Sequence, residues 1–173
     1  MTAPRELSLT DAERRRIERI DRLVLLGATG VPELIAGLSD ASWTVRRAVV
    51  AGLAALGDDA VGALCAWLRD ARSSERAIAA AVDALSASVG ASATSEVLAL
   101  LGDRRAMIAA DAAQILGRRA ALEAAPALVK LLEHPDDNVA VAAIEALGAI
   151  GGSRAIDALI DVLGRRSSFR AFP

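Results

Sequence analysis

Five leucines recur at nearly one spacing. Leu38, Leu68, Leu101, Leu132 and Leu163 are separated by 30, 33, 31 and 31 residues. A second column, Leu23, Leu53, Leu85, Leu116 and Leu147, has gaps of 30, 32, 31 and 31. A fixed period of about 20–50 residues marks a stacked-repeat architecture, because one such unit cannot bury its own apolar face. The repeat covers almost the whole chain and excludes most other folds.

One unit shows the design. Val31, Leu34, Ile35 and Leu38 follow the i, i+3, i+4, i+7 stripe of an amphipathic helix, with Pro32 in its first turn. Ser39, Asp40 and Ser42 supply turn and cap oxygens. A second helix runs through Val45, Val49, Leu53 and Leu56 to a stop at Gly57. Later units repeat this: Val61, Leu64, Cys65 and Leu68, then Ala77, Ala81 and Leu85. Val97, Leu98 and Leu101 precede Ile108, Ala112, Leu116 and a stop at Gly117. Leu128, Val129 and Leu132 precede Val139, Ala143, Leu147, Ile150 and Gly151. Ile156, Leu159, Ile160 and Leu163 open a fifth. No stretch alternates apolar and polar residues as a half-buried strand would.

The expected organisation is one domain over 1–173. A lone second-type helix spans 11–26, capped by Thr10 with Glu13. Full units span 31–57, 60–89, 94–117 and 122–151, and a partial unit spans 153–173. The second unit carries two extra residues, placed in Ala71-Arg72-Ser73-Ser74, where a longer loop is expected. The serine-rich stretch Ser86–Thr94 is expected to be the loosest part. Arg14, Arg15, Arg16, Arg19 and Arg22 give the first helix a polar outer side, with Arg14–Glu18 and Glu18–Arg22 pairs expected at helical spacing. At the other end, Phe169 and Phe172 either fold back as a cap or precede further repeats beyond Pro173; continuation is the preferred expectation, and an open end favours end-to-end self-association.

Composition narrows the function. Net charge is −2, and the basic runs are local, so the broad basic stripe of a nucleic-acid binder is not expected. No apolar run reaches the roughly 18 residues that span a bilayer, and Met1–Thr10 has no apolar signal-peptide core. One cysteine, Cys65, rules out an internal disulfide framework. A cytoplasmic, bacterial-style protein is expected.

The segments Asp40-Ala-Ser-Trp-Thr-Val-Arg-Arg-Ala-Val-Val-Ala-Gly-Leu-Ala-Ala-Leu-Gly57 and Asn138-Val-Ala-Val-Ala-Ala-Ile-Glu-Ala-Leu-Gly-Ala-Ile-Gly151 resemble short HEAT repeats of the phycobilisome-lyase type. Ala125-Pro-Ala-Leu-Val-Lys-Leu-Leu132 resembles the preceding helix of that repeat. The resemblance covers roughly Asp11 to Leu163. It implies an all-α, right-handed α-α superhelix of about four and a half repeats. Only Arg46-Arg47 matches the family's arginine pair; Ala109-Ala110 and Ala140-Val141 stand at the later positions, so an arginine ladder is missing.

The resemblance also implies that second helices line the concave side. Trp43, Thr44, Arg47, Ala48 and Ala51 would then face the groove, followed by Glu75, Arg76, Ala79, Ala80 and Asp83. Met107, Ala110, Asp111 and Gln114 follow, then Asp137, Asn138, Val141, Ala142 and Glu145. The column Asp21, Ala51, Asp83, Gln114, Glu145 suggests a shallow, alanine-floored, mildly acidic groove.

Chemistry is sparse. His134, the single histidine, lies in a Glu-His-Pro-Asp turn and is expected to be exposed. HEAT-like di-iron hydroxylases use several His-Glu pairs, so no metal is expected. Cys65 shares the position of Ile35 and Val129 and reads as a small core hydrophobe. Asp58-Asp59 and Asp136-Asp137 precede helices, where carboxylates cap and complement the helix dipole. HEAT-like base glycosylases hold an Asp between tryptophans on a basic face; Trp43 lies two units from Asp111. No catalytic residue and no cofactor are expected. The functional reading is a non-enzymatic scaffold, in bacterial signalling or complex assembly, binding another protein through Trp43, Arg47, Asp83, Met107, Asp111, Gln114 and Glu145. Trp and Arg are favoured hot-spot types, and the carboxylates would select a partner with basic residues. The alternative is a bilin lyase-like or enzyme-accessory domain holding a small molecule; against it, tyrosine is missing.

Overall fold

The computed structural model describes residues 9–72 and 74–167. These residues form α-helices and short 3-10 turns, with no strand among them. The helices are α1 (Asp11–Leu25), α2 (Val31–Ala36), α3 (Trp43–Leu56), α4 (Asp58–Asp70) and α5 (Glu75–Ala87), then α6 (Ala93–Leu100), α7 (Ala106–Arg118), α8 (Ala125–Leu131), α9 (Asp137–Ile150) and α10 (Ser153–Ser167). They stack as an all-α solenoid of two layers. Odd helices α1 to α9 pack side by side in one layer, and even helices α2 to α10 form the other.

The two leucine columns lie between the layers. Leu38, Leu68, Leu101 and Leu132 are buried, and Leu53, Leu85, Leu116 and Leu147 are fully so. Only Leu23 of the second column is half-buried; among the described residues no helix precedes α1. The side chain of Leu163, Phe169, Phe172 and the expectation for the chain beyond Pro173 lie outside the described residues. Alanines 77, 81, 84, 112, 113, 143 and 146 fill the remaining interior, so helices approach closely at no side-chain entropy cost. In the fifth unit the same register positions are open. Ile156 is 52% exposed where Val31 is 2%, and Ile160 is 62% exposed where Ile35 is half-buried. No second-type helix follows α10 among the described residues.

Caps tie the first elements together. The Glu13 N–H donates to Thr10 Oγ1 at 3.2 Å, completing the capping box. The Glu13 carboxylate accepts from the Thr10 N–H at 2.9 Å, the Thr10 hydroxyl at 2.8 Å and the Ser42 hydroxyl at 2.6 Å. Ser42 is itself the N-cap of α3, so one carboxylate joins the starts of two neighbouring second helices. The Ser42 hydroxyl, with help from both Thr10 donors, holds the Glu13 carboxyl down from the ordinary 4.5 to about 2. A depressed folded-state pKa contributes stability above the unfolded value that is lost as pH falls through the folded one. Glu13→Gln is therefore expected to flatten the fall in stability between pH 4.5 and about 2, as read from urea unfolding at stepped pH. An unchanged acid limb would show that the carboxylate does not link the two caps.

Gly57 ends α3 at φ +55°, ψ −125°, a conformation that essentially only glycine adopts. The third unit ends differently from expectation. Gly117 is not the stop, since α7 continues to Arg118. Ala120 takes the left-handed conformation instead, at φ 50°. The Ala121 N–H reaches the Leu116 carbonyl and the Ala120 N–H the Gly117 carbonyl, as in a Schellman cap. Gly117 is needed for close approach: a Cβ there would stand 2.6 Å from the Ala146 Cα on α9.

The longer loop expected at 71–74 includes Ser73, which lies outside the described residues; on either side of it α4 stays helical to Asp70 and α5 begins at Glu75. The stretch Ser86–Thr94, expected to be the loosest part, accepts hydrogen bonds from side chains outside it and donates to others. The Arg119 guanidinium donates to the carbonyls of Leu85 and Ser88 at 2.9 and 2.8 Å. The Asp58 carboxylate, in the first turn of α4, accepts from the Ser92 N–H and hydroxyl at 2.8 and 2.7 Å. Those two donors lower the pKa of Asp58. On α1, Arg14 pairs with Asp11 rather than Glu18, and the Arg22 Nε donates to the Glu18 carbonyl.

Candidate functional site

The stripe that buries Val45, Val49 and Leu53 on one side of α3 leaves Trp43, Arg47 and Ala51 exposed on the other. The same register on α5, α7 and α9 exposes Ala79 and Asp83, then Gln114, then Val141 and Glu145. All seven residues singled out from the sequence thus lie on the second-helix layer. Trp43 and Met107 are 63% and 59% exposed.

These residues do not form one continuous surface of uniform charge. A depression of about 420 Å³ opens between α3 and α5, walled by Trp43, Arg46, Arg47, Arg76 and Asp83 over Val50, Ala79 and Ala80. The Arg47 guanidinium lies 5.5 Å from the centroid of the Trp43 ring, within cation–π range. Arg46 is turned to the backbone, donating to the carbonyls of Asp40 at 2.6 Å and Ala41 at 3.1 Å. A second depression, about 290 Å³, opens between α7 and α9 and is lined by Asp111, Gln114, Asp137, Asn138, Val141 and Glu145 among others. Met107 lies to one side, in a third depression with Arg105 and Asp136.

Ion pairs cross the junction between the two. Arg72, in the inserted connector, meets Asp111 at 2.6 Å, with side chains only 17% and 20% exposed. Arg118 of α7 meets Asp83 of α5 at 2.5 Å. Two of the carboxylates expected to select a basic partner are therefore already engaged within the chain. Around the first depression only arginines are left, and around the second Asp137 and Glu145. Within the groove expected to be mildly acidic, arginines outside any described ion pair, Arg47 and Arg76, gather at the first depression, with Glu75 beside Arg76, and carboxylates outside any described ion pair, Asp137 and Glu145, gather at the second. Arg72 and Arg118 carry no local signal in the sequence because their partners are 39 and 35 residues away. The one available hint is the two-residue insertion that carries Arg72.

Cys65 lies between the layers, where burial first and the charge of Glu96 second push its thiol up to about 11. At neutral pH it is a protonated, inaccessible thiol. His134 is half-buried rather than exposed, and its Nδ1 accepts the Asp136 N–H at 3.1 Å, closing the turn before α9. Asp136 caps α9 through the Asn138 N–H. Among the described residues no cluster of His, Cys, Asp or Glu is arranged to hold a metal ion. No described helix is long and apolar enough to cross a membrane.

The family model for HEAT repeats matches residues 31–106 and again 94–171. The chain belongs to the HEAT-repeat family. Among solved structures, this HEAT-repeat chain is similar to the designed armadillo repeat protein YIII(Dq)4CqI, at 23% identity over 99% of this chain and 90% of that one, with a TM-score of 0.46. No curated protein matches the chain. HEAT-repeat solenoids are typically protein-interaction scaffolds and generally not enzymes.

Proposed function

We propose that this HEAT-repeat protein is a non-enzymatic scaffold whose second-helix face binds a segment of a partner protein. The observation that carries the reading is the exposed row Trp43, Arg47, Met107, Gln114, Val141 and Glu145 on one layer, interrupted by depressions at two of its junctions. A soluble chain gains nothing in stability by exposing Trp43 and Met107, whereas a buried Trp or Arg is a common source of binding energy. Both depressions are shallow and floored by small residues, which suits a side chain or helix of a protein better than an enclosed small molecule.

Site-specific photo-crosslinking tests this. A photoreactive residue at Met107 or Gln114 is expected to trap a partner protein in cells, and one at Ala36 or Ala63 on the first-helix layer is not. Crosslinks arising only from the first-helix layer would overturn the assignment of the face. Crosslinks from neither layer, together with a visible absorption band in the purified protein, would favour a bound pigment instead.

A further inference from the structure

The two depressions carry opposite charge, and this specifies what can lie across them. Arg47 and Arg76 line the first, and no described carboxylate pairs with either. Its single carboxylate, Asp83, is held by Arg118. Asp137 and Glu145 line the second, and neither is in an ion pair among the described residues; the arginines at its edges, Arg118 and Arg105, are held by Asp83 and Asp103. Between them, Arg72–Asp111 and Arg118–Asp83 neutralise the α5–α7 junction. The groove therefore presents cation, neutral span and anion in that order along the solenoid axis.

Resting on the partner-binding reading above, we propose that the occupant is an amphipathic helix of a partner protein with segregated charge. Its acidic end, next to an apolar side chain, docks on Trp43, Arg47 and Arg76. Its basic end lies on Asp137 and Glu145. Charge complementarity of this kind fixes the direction of docking as well as the choice of partner. Trp43 supplies the apolar contact, and its ring face holds Arg47 over the depression. The depressions are two helix spacings apart, roughly 20 Å at about 10 Å per neighbouring pair. At 1.5 Å per residue, the two charged ends of the helix would be separated by about 13 residues. A partner of uniform charge would meet repulsion at one end.

Fluorescence anisotropy at low and moderate salt tests the proposal with synthetic probes. One is a labelled alanine- and leucine-based helical peptide with a glutamate block near its N-terminus and a lysine block about 13 residues on. The second reverses the two blocks, and the third has the same composition with the charges interspersed. At least one block peptide is expected to bind the whole chain at least tenfold more tightly than the interspersed one, with the preference shrinking as salt rises. Arg47→Glu with Arg76→Glu, both on the outer face, should remove that preference, as should Asp137→Lys with Glu145→Lys. Circular dichroism confirms that each variant keeps its helices. Equal binding of all three peptides, weakened by Trp43→Ala, would overturn the charge pattern while leaving the face as the binding surface. Binding indifferent to every one of these variants, or absent for all three peptides, would overturn the proposal itself; the crosslinking experiment tests the face independently.

Discussion

Leu85→Ala is expected to lower the unfolding free energy by about 3 kcal/mol, the middle of the range for a leucine truncated in a tight core. Leu85 is fully inaccessible and sits where α5 meets both its own first helix and the core of the neighbouring units. Leu85 belongs to one continuous buried cluster in which Ala77, Ala81 and Ala112 are fully inaccessible, and an alanine has no side-chain reach with which to fill a neighbouring cavity. Leu53, Leu116 and Leu147 occupy the same register and should cost about as much. Leu23, half-buried on α1, should cost about 1 kcal/mol. Urea unfolding followed by circular dichroism gives all five values. A flat series, with Leu23 as costly as Leu85, would mean that the second column is not the shared core of the stack.

Gly117→Val should be nearly as damaging, again by about 3 kcal/mol, through overpacking instead of a cavity. The added Cβ would fall 2.6 Å from the Ala146 Cα and 2.9 Å from its Cβ, so the obstacle includes the backbone of α9 itself. Backbone cannot rotate away as a side-chain tip can. Gly62→Val is the control: it lies exposed on α4, and a Cβ there would meet nothing within 4 Å. Its cost is confined to helix propensity, a few tenths of a kcal/mol in either direction. Equal stability of the two variants would show that α7 and α9 are not held at this separation.

These cases show why the sequence is readable in one direction and not the other. The side of each helix that points inward follows from spacing along a single helix, which is local. Hence residue spacing alone assigns Leu53 and Leu85 to the core, and Trp43, Gln114 and Glu145 to one outer face. The role of Gly117 depends on how near α9 comes, and that distance is a property of two units packed together. A glycine needed for closeness looks identical in sequence to one needed for a helix stop. The pairing of Asp111 with Arg72 has the same origin. Spacing puts Asp111 on the second-helix layer, yet its charge is taken up by a connector that only stacking brings within reach. The hydrogen bonds of Ser88 and Ser92 have a related origin: the groups they meet, Arg119 and Asp58, belong to the next helix pair and the preceding one.

The junctions along the second layer are not equal. Between α7 and α9 the contact is the most extensive, with Gly117 seated on Ala146, while α5 and α7 share the least. The latter junction is the one spanned by Arg72–Asp111 and Arg118–Asp83. In a linear array, the weakest coupling decides whether the chain melts as one block or as two. Here that coupling includes two ion pairs, which dissolved salt screens far more than it does apolar contact. Ionic strength is therefore expected to act on the size of the cooperative unit: calorimetry in dilute buffer should show one transition, and in concentrated salt that transition should broaden or split as the second and third repeats uncouple.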